Sequence, residues 1–125
     1  MARKKILIVD DDKDILNLIE KRLLIDGFEV LKLSEGRYVL ANVNEFQPQL
    51  ILMDIMMDDM DGAEVVRQLQ EDKKASAIPV IFLSGIVVPE DPTIPPSVKV
   101  GERRYPALAK PFSGEQLLSA IRKAL

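Results

Sequence analysis

Acidic, hydroxyl and ammonium side chains stand at the ends of four apolar stretches in this 125-residue sequence. Each stretch has the length and composition of a buried strand. The carboxyl ends of parallel strands lie along one edge of a sheet, so residues remote in sequence would meet there. The side chains concerned are those of Asp10, Asp11 and Asp12, then Asp54, Ser84 and Lys110.

This set of side chains predicts a particular chemistry. Three or more carboxylates in one crevice repel each other unless a cation lies among them. The sequence has no His and no Cys, and oxygen ligands alone suit Mg²⁺, which binds a few carboxylates together with a phosphate. Lys110 adds a compact positive charge for a phosphate oxygen, and Ser84 adds a neutral donor. Together they predict a site that binds Mg²⁺ and transfers a phosphoryl group to a carboxylate nucleophile.

Taken singly, the same residues have ordinary structural interpretations. The acids at 10–12 could cap the first helix, with Asp12 or Asp14 as the capping residue. Asp54 could be a loop acid at a strand end, and Ser84 with Gly85 could form a turn. The acids after Asp54 are interpreted as part of a solvated loop; they are Asp58, Asp59 and Asp61. The methionines nearby are interpreted as core or rim residues; they are Met53, Met56, Met57 and Met60. The coincidence of polar residues at successive strand ends favours the functional interpretation.

The predicted elements alternate between the strand period and the helix period. Strands are expected over residues 6–9, 28–33, 50–54, 78–83 and 105–109. Helices are expected from residue 13 to the Asp26-Gly27 stop, over 34–46, over 63–72 and over 113–125. Ser34 would cap the second helix, and Ser113 with Gln116 would form a capping box for the last one. This order predicts one α/β domain over residues 1–125, in which a doubly wound parallel sheet of five strands has helices on both faces.

Residues 86–104 interrupt this alternation. Four of the eight prolines, at positions 89, 92, 95 and 96, lie there. Proline lacks a backbone donor and costs about 3 kcal/mol inside a helix, which excludes a regular helix across 89–96. Val98 and Val100 alternate with polar residues, which favours an extended piece or a loop.

The composition argues against two classes of binding partner, nucleic acids and membranes. The net charge of −3 argues against sequence-independent nucleic-acid binding. No apolar run approaches the ~20 residues that a membrane-spanning helix needs. We therefore expect a cytoplasmic domain that contacts neither membrane nor nucleic acid directly.

Four motifs give the chain a resemblance to a known family. ILIVDDD at 6–12, LILMDIMMDDMDG at 50–62, VIFLSG at 80–85 and AKPF at 109–112 resemble the receiver domain of two-component response regulators. The resemblance extends over the chain except for the proline-rich segment. It implies a flavodoxin-like fold whose fourth helix is absent or irregular, and a phosphoacceptor signalling domain that is not a stand-alone enzyme.

The resemblance also implies a role for each residue. Asp54 would accept a phosphoryl group from the phosphohistidine of a sensor histidine kinase. The ligands of Mg²⁺ would be Asp11, Asp54 and the backbone carbonyl of Met56, with Asp10 acting through water. The hydroxyl of Ser84 would move to the acyl phosphate and Lys110 would pair with it, the Lys110–Pro111 peptide being cis. The downstream partner stays unknown.

The chain departs from the family pattern at three places. Asp58 replaces the usual proline four residues after the acceptor, Ala107 replaces the usual switching aromatic, and residues 86–104 replace the fourth helix. Tyr105, two positions before Ala107, is a candidate substitute for that aromatic. The missing aromatic and the proline-rich segment motivate an alternative function, an interaction module that acts independently of phosphorylation. An aspartyl-nucleophile phosphatase would need an acid where Met56 stands, and no phosphate-binding glycine motif is present.

Overall fold

Strands and helices alternate along the computed structural model, which describes residues 3–85 and 96–125. The strands are β1 (Lys5–Val9), β2 (Glu29–Leu33), β3 (Leu50–Asp54), β4 (Val80–Ser84), β5 (Ser97–Val100) and β6 (Arg103–Ala109). The helices are α1 (Lys13–Ile25), α2 (Val39–Phe46), α3 (Gly62–Gln70) and α4 (Gly114–Ala124), and 3₁₀ turns cover Gly36–Tyr38 and Ala75–Ala77.

The strands form one sheet in the order β2-β1-β3-β4-β6-β5. The first five of these strands are parallel, as the sequence predicts, and the doubly wound α/β fold is confirmed. The predicted count of five strands is too low by one, since β5 pairs with β6 in the antiparallel direction. The alternating Val98 and Val100 belong to this sixth, edge strand.

The apolar core lies on both faces of the sheet, because side chains of a strand alternate between its two faces. Ile6 and Ile8 of β1 pack in the cluster that contains α1 and α4, whereas Leu7 and Val9 pack in the cluster that contains α2 and α3. All five residues of β3 are buried. Full burial of one such side chain stabilises the fold by roughly 1.5–3 kcal/mol. The strand that ends at Asp54 is therefore held rigidly from both sides.

Three helices begin at caps that the local sequence provides. The carboxylate of Asp12 accepts hydrogen bonds from the backbone N–H groups of Asp14 and Ile15, and Asp61 caps α3 through Ala63. Ser113 and Gln116 form the predicted capping box of α4.

The prediction that Ser34 caps the second helix is wrong. That segment opens instead with the 3₁₀ turn Gly36–Tyr38, for which the preceding residue, Glu35, provides no side-chain cap. The backbone N–H groups of Gly36 and Arg37 are bonded by Asp59, which lies more than twenty residues away.

The extended piece that the sequence favours around Val98 and Val100 is confirmed as strand β5, and the structure adds that it forms an antiparallel hairpin with β6. Gly101 has φ of +62°, a conformation that glycine adopts at low cost, and it lets the chain reverse between Val100 and Arg103. Pro106, which has no N–H to donate, lies just before Ala107, where the pairing of β6 with β4 begins, and the N–H of Ala107 donates to the carbonyl of Pro96. The prediction for residues 86–95, including an absent or irregular fourth helix, lies outside the described residues.

Candidate functional site

Four neighbouring strands bring the predicted residues to one edge of the sheet. Asp10 follows β1, Asp54 ends β3, Ser84 ends β4 and Lys110 follows β6, and these strands are adjacent in the order β1-β3-β4-β6. The parallel register places Asp54 opposite Leu83 and Ser84 opposite Ala109. The convergence that the sequence predicts is thus present in the structure.

The carboxylates of Asp10, Asp11 and Asp54 form a compact group. One oxygen of each lies within 4.8 Å of an oxygen of the others. Asp10 is 1% exposed and Asp54 is 6% exposed, whereas Asp11 is half-buried. One oxygen of Asp10 also accepts a hydrogen bond of 2.9 Å from the backbone N–H of Asp12, so its orientation is fixed by the turn that opens α1.

Lys110 joins the two buried carboxylates. Its Nζ lies 2.8 Å from Oδ2 of Asp10 and 3.3 Å from Oδ1 of Asp54. The backbone N–H of Lys110 donates to the carbonyl oxygen of Ser84 over 2.8 Å, which continues the β4–β6 pairing beyond the end of the strand. The Lys110–Pro111 peptide is cis, as the resemblance implies. A residue near the end of the chain therefore contacts acids that follow its first and third strands.

Burial and charge perturb the titration of this group. Burial raises the pKa of Asp54 from its ordinary value of 3.8 to about 6, the negative charge of Asp10 adds to this effect, and Lys110 opposes it. Burial also disfavours the charge on Lys110, but its hydrogen bond to Asp10 and the two nearby carboxylates outweigh burial and raise the pKa of Lys110. Near neutral pH we expect Asp54 to be mainly ionised and Lys110 to be positively charged.

The charges of this group are unbalanced. Three carboxylates face one ammonium, which leaves two uncompensated negative charges when all four groups are ionised. Buried or half-buried charge without a partner is costly. A divalent cation coordinated by oxygen atoms would supply the missing charge, and the donor set suits Mg²⁺ because it contains only hard oxygen ligands.

The loop between β3 and α3 passes close to these acids. The backbone N–H of Asp58 donates to Oδ2 of Asp11 over 3.2 Å. The loop is closed at its base by a 2.7 Å hydrogen bond from Gly62 N–H to the carbonyl of Ile55. A Cβ added to Gly62 would overlap the carbonyl oxygen of Asp54, so this close approach requires glycine. The side chain of Met56 is exposed, and the role of its carbonyl stays a prediction.

Two of the other predicted site residues are buried in the structure. Ser84 is 2% exposed at the end of β4. The ring of Tyr105 packs edge-on against Phe82, with centroids 5.9 Å apart, and its hydroxyl accepts a 2.9 Å hydrogen bond from Gln70 of α3. Ala107 lies directly opposite Phe82 in the β4–β6 register. Tyr105 therefore lies in the core beneath α3, and its role as a switch stays a prediction.

Asp59 is a residue whose contacts the sequence did not indicate. The acids after Asp54 are exposed, as predicted for a solvated loop, but Asp59 accepts two backbone hydrogen bonds from the segment between β2 and α2. The donors are more than twenty positions away, and no local motif marks the pair.

Comparison with known families identifies this arrangement. A family model described as the response regulator receiver domain matches residues 6–122. The chain belongs to this family. Receiver domains are phosphoacceptor signalling domains of two-component systems, and the match includes each of the four strand ends described above.

Relatives of this chain are named as a transcriptional regulator or as a DNA-binding response regulator. The probable transcriptional regulator ycf27 of Galdieria sulphuraria is 37% identical over 123 residues, which cover 98% of this chain and 46% of the relative. The DNA-binding response regulator MtrA of Mycobacterium leprae is 30% identical over 123 residues, which cover 98% of this chain and 52% of the relative. The chain thus spans about half the length of these relatives.

Solved receiver structures have the same fold. The chemotaxis protein CheY4 of Vibrio cholerae aligns with a TM-score of 0.85 at 28% identity, over 99% of this chain and 100% of that protein. The receiver domain of the sensor histidine kinase PA1611 from Pseudomonas aeruginosa aligns with a TM-score of 0.84 at 24% identity, over 98% of each chain. That structure has a magnesium ion coordinated in its active-site cleft. Within the described part of the present chain, no helix is both long and apolar enough to cross a membrane.

Proposed function

We propose that this receiver domain is a Mg²⁺-dependent phosphoacceptor switch. Asp54 takes a phosphoryl group from the phosphohistidine of a sensor histidine kinase, and the modified domain presents a changed surface to a downstream partner. The observation that supports this proposal most strongly is the contact of Lys110 with both Asp10 and Asp54, beside Asp11, in a group that lacks two positive charges.

In this mechanism an oxygen of Asp54 attacks phosphorus. A new O–P bond forms as the P–N bond of the phosphohistidine breaks, and the electron pair of that bond stays on the histidine nitrogen. The carboxylates of Asp11 and Asp54 and the carbonyl of Met56 would hold Mg²⁺ directly, and Asp10 would act through water. When bound, the ion would neutralise the acids and the phosphoryl oxygens. Lys110 stabilises the negative charge that the phosphoryl oxygens bring to the site, and the hydroxyl of Ser84 turns toward the acyl phosphate.

The titration of Asp54 is compatible with this role. A carboxylate must be ionised to act as a nucleophile. With a pKa of about 6, Asp54 is mainly ionised near neutral pH, and the ammonium of Lys110 favours its charged form. Bound Mg²⁺ would favour the charged form further, so the loss of phosphorylation with falling pH should begin below the metal-free pKa.

The test is phosphorylation by a small donor. The protein is incubated with Mg²⁺ and acetyl phosphate, and its intact mass is measured. We expect a gain of one phosphoryl group, which is lost in Asp54→Asn and when EDTA removes the metal. Glu64→Gln, which changes an exposed acid on α3, should keep the gain. A wild-type protein without the gain, or an Asp54→Asn variant that keeps it, would contradict the proposal.

An interaction module that is independent of phosphorylation is the second candidate. The observation that favours it is the burial of Tyr105 against Phe82 and Gln70, together with Ala107 at the usual switch position. The two candidate functions differ in how far from Asp54 the structure changes when Asp54 is modified. Backbone amide spectra with Mg²⁺ and beryllofluoride should change only near the strand ends in a module of this kind, and as far as the β5–β6 hairpin in a switch.

The wider setting follows from the proposed phosphodonor. A sensor histidine kinase as partner would place the domain in the cytoplasm, where ATP-dependent kinases work. The relatives named as transcriptional or DNA-binding regulators are about twice as long as this chain, so we do not carry their DNA binding over to the described domain.

A further inference from the structure

The carboxylate of Asp59 bonds two segments that are distant in sequence. It accepts a 3.1 Å hydrogen bond from the backbone N–H of Gly36 and a 3.0 Å hydrogen bond from that of Arg37. Both donors lie in the first turn of the 3₁₀ segment before α2, where helical N–H groups have no partner of their own. Slight burial of Asp59 would raise its pKa, but these N–H groups outweigh it and lower the pKa of the carboxyl.

Side-chain packing brings the same two segments together. Gly36 is buried, and a Cβ placed on it would lie 2.8 Å from a methyl of Val65 and 3.3 Å from atoms of Met57 and Met60. A side chain at position 36 would push the β3–α3 loop outward. The loop therefore lies directly on the segment before α2, with Asp59 bonded to it between the two methionines.

The anchored loop is the one that borders the metal-binding acids. Only residues 57 and 58 separate Asp59 from Met56, the predicted carbonyl ligand. The N–H of Asp58 donates to Oδ2 of Asp11. Proline has no N–H, so a proline at position 58 could not make this bond. Compared with a receiver domain that has proline at this position, the chain has an additional donor to Asp11 but lacks the stiffness of a proline ring.

We propose that Asp59 is a positioning residue for the metal site, an inference that rests on the proposed Mg²⁺-dependent function. Its two hydrogen bonds fix the β3–α3 loop against the segment before α2. That fixed loop holds the N–H of Asp58 against Asp11 and keeps the carbonyl of Met56 near the acids. Asp59 contacts neither the metal nor the phosphoryl group and acts through the loop backbone.

The test compares charge-matched variants in a Mg²⁺ titration by calorimetry. Removal of groups that orient metal ligands commonly weakens binding at least about tenfold, and we expect that loss of affinity in Asp59→Ala. Asp59→Asn should show a smaller loss, because its amide oxygen can still accept one of the two bonds. Glu35→Gln removes a carboxylate that pairs with the guanidinium of Arg37, whereas both bonds to Asp59 come from backbone N–H groups, so its affinity should match the wild type.

A second readout separates positioning from general destabilisation. The phosphorylation rate of Asp59→Ala with acetyl phosphate should recover when Mg²⁺ is raised to saturation, because the nucleophile and Lys110 are intact. If Asp59→Ala does not fold, Asp59→Asn gives the same comparison with a smaller loss.

The outcomes separate this inference from the proposed function. Wild-type protein that binds Mg²⁺ and accepts a phosphoryl group, beside an Asp59→Ala variant of equal Mg²⁺ affinity, would overturn the inference alone. An equal loss in Glu35→Gln would also overturn it, since charge and not the two bonds would then be the cause. Wild-type protein that binds no Mg²⁺ would overturn the proposed function and this inference with it.

Discussion

The two ends of strand β6 are held by different kinds of contact. At its carboxyl end Lys110 contacts carboxylates that follow β1 and end β3, far away in sequence. At its amino end the chain forms a local hairpin with β5, which Gln70 joins to α3 by donating to the carbonyl of Val100 and the hydroxyl of Tyr105. One end collects charges from across the fold, and the other is fixed by neighbouring backbone and packing.

This difference indicates which end of β6 should respond to pH and to ions. The carboxyl end contains buried acids that repel each other, so we expect its stability to depend on pH and on a bound cation. The amino end depends on an aromatic contact and neutral hydrogen bonds, together with Arg103, whose guanidinium donates to the carbonyl of Ser76 and lies 5.2 Å from the ring of Tyr105. Substitutions at the two ends should therefore change different properties.

Lys110→Ala should have the largest effect. It removes the ammonium that both buried carboxylates contact, and breaking a buried ion pair costs roughly 3–5 kcal/mol of unfolding free energy. Loss of one stabilising donor should also slow phosphorylation by about 10²–10³-fold. The measurements are urea unfolding and the rate of mass gain with acetyl phosphate. Arg103→Ala, at the other end of β6, should leave the phosphorylation rate unchanged. An equal loss of that rate in both variants would contradict the claim that the two ends of β6 control different properties.

Asp54→Asn should stabilise the metal-free protein in a pH-dependent way. The folded-state pKa of about 6 is above the ordinary value of 3.8, so the folded state holds a proton that the unfolded state releases between these values. The resulting penalty is absent below about pH 4, grows as the pH rises and is complete above about pH 6. We expect the variant to gain roughly 1–3 kcal/mol at pH 7.

Thermal unfolding at several pH values, with EDTA, measures this gain. Mg²⁺ at pH 7 should stabilise the wild type and reduce or reverse the advantage of the variant, since the cation compensates the carboxylate charge. Lys110 keeps Asp10 as a partner in Asp54→Asn, so the gain is not offset by an unpaired ammonium. A gain of equal size at pH 4 and pH 7 would show that charge repulsion is not its cause.

Tyr105→Phe should have the smallest effect of the three. It removes the hydroxyl that accepts from Gln70 and keeps the ring against Phe82, which should cost about 1 kcal/mol of unfolding free energy. The rate of phosphorylation should stay at the wild-type value. Chemical unfolding and the acetyl phosphate assay check both statements, and a large fall in the phosphorylation rate would show that the two ends of β6 are coupled before modification.

The sequence predicted the carboxyl end of the sheet better than its edge. Long apolar strands are constrained by burial on both faces, so a parallel sheet could be predicted. The polar residues at its strand ends, Asp10, Asp54 and Lys110, were therefore expected at one edge. The edge strand β5 is only four residues long and lies beside a run of prolines, which obscured the hairpin although Val98, Val100 and Gly101 were visible in the sequence.

Contacts between loops were beyond sequence reasoning. The bonds from Gly36 and Arg37 to Asp59 join positions more than twenty residues apart, and an aspartate in a loop has many possible partners. Ser34 had the right chemistry for a helix cap, but the 3₁₀ turn begins two residues later and takes its acceptor from another segment. The hydroxyl of the buried Tyr105 accepts from Gln70, a residue that no motif connects to it.

A crystal structure with Mg²⁺ and beryllofluoride, which imitates an acyl phosphate, tests the central claim most directly. The account predicts beryllium bonded to a carboxylate oxygen of Asp54, and Mg²⁺ about 2.1 Å from oxygen atoms of Asp11, Asp54 and the Met56 carbonyl. Lys110 and Ser84 should contact the fluorine atoms. Beryllofluoride on another side chain, or Mg²⁺ bound away from Asp11 and Asp54, would contradict it.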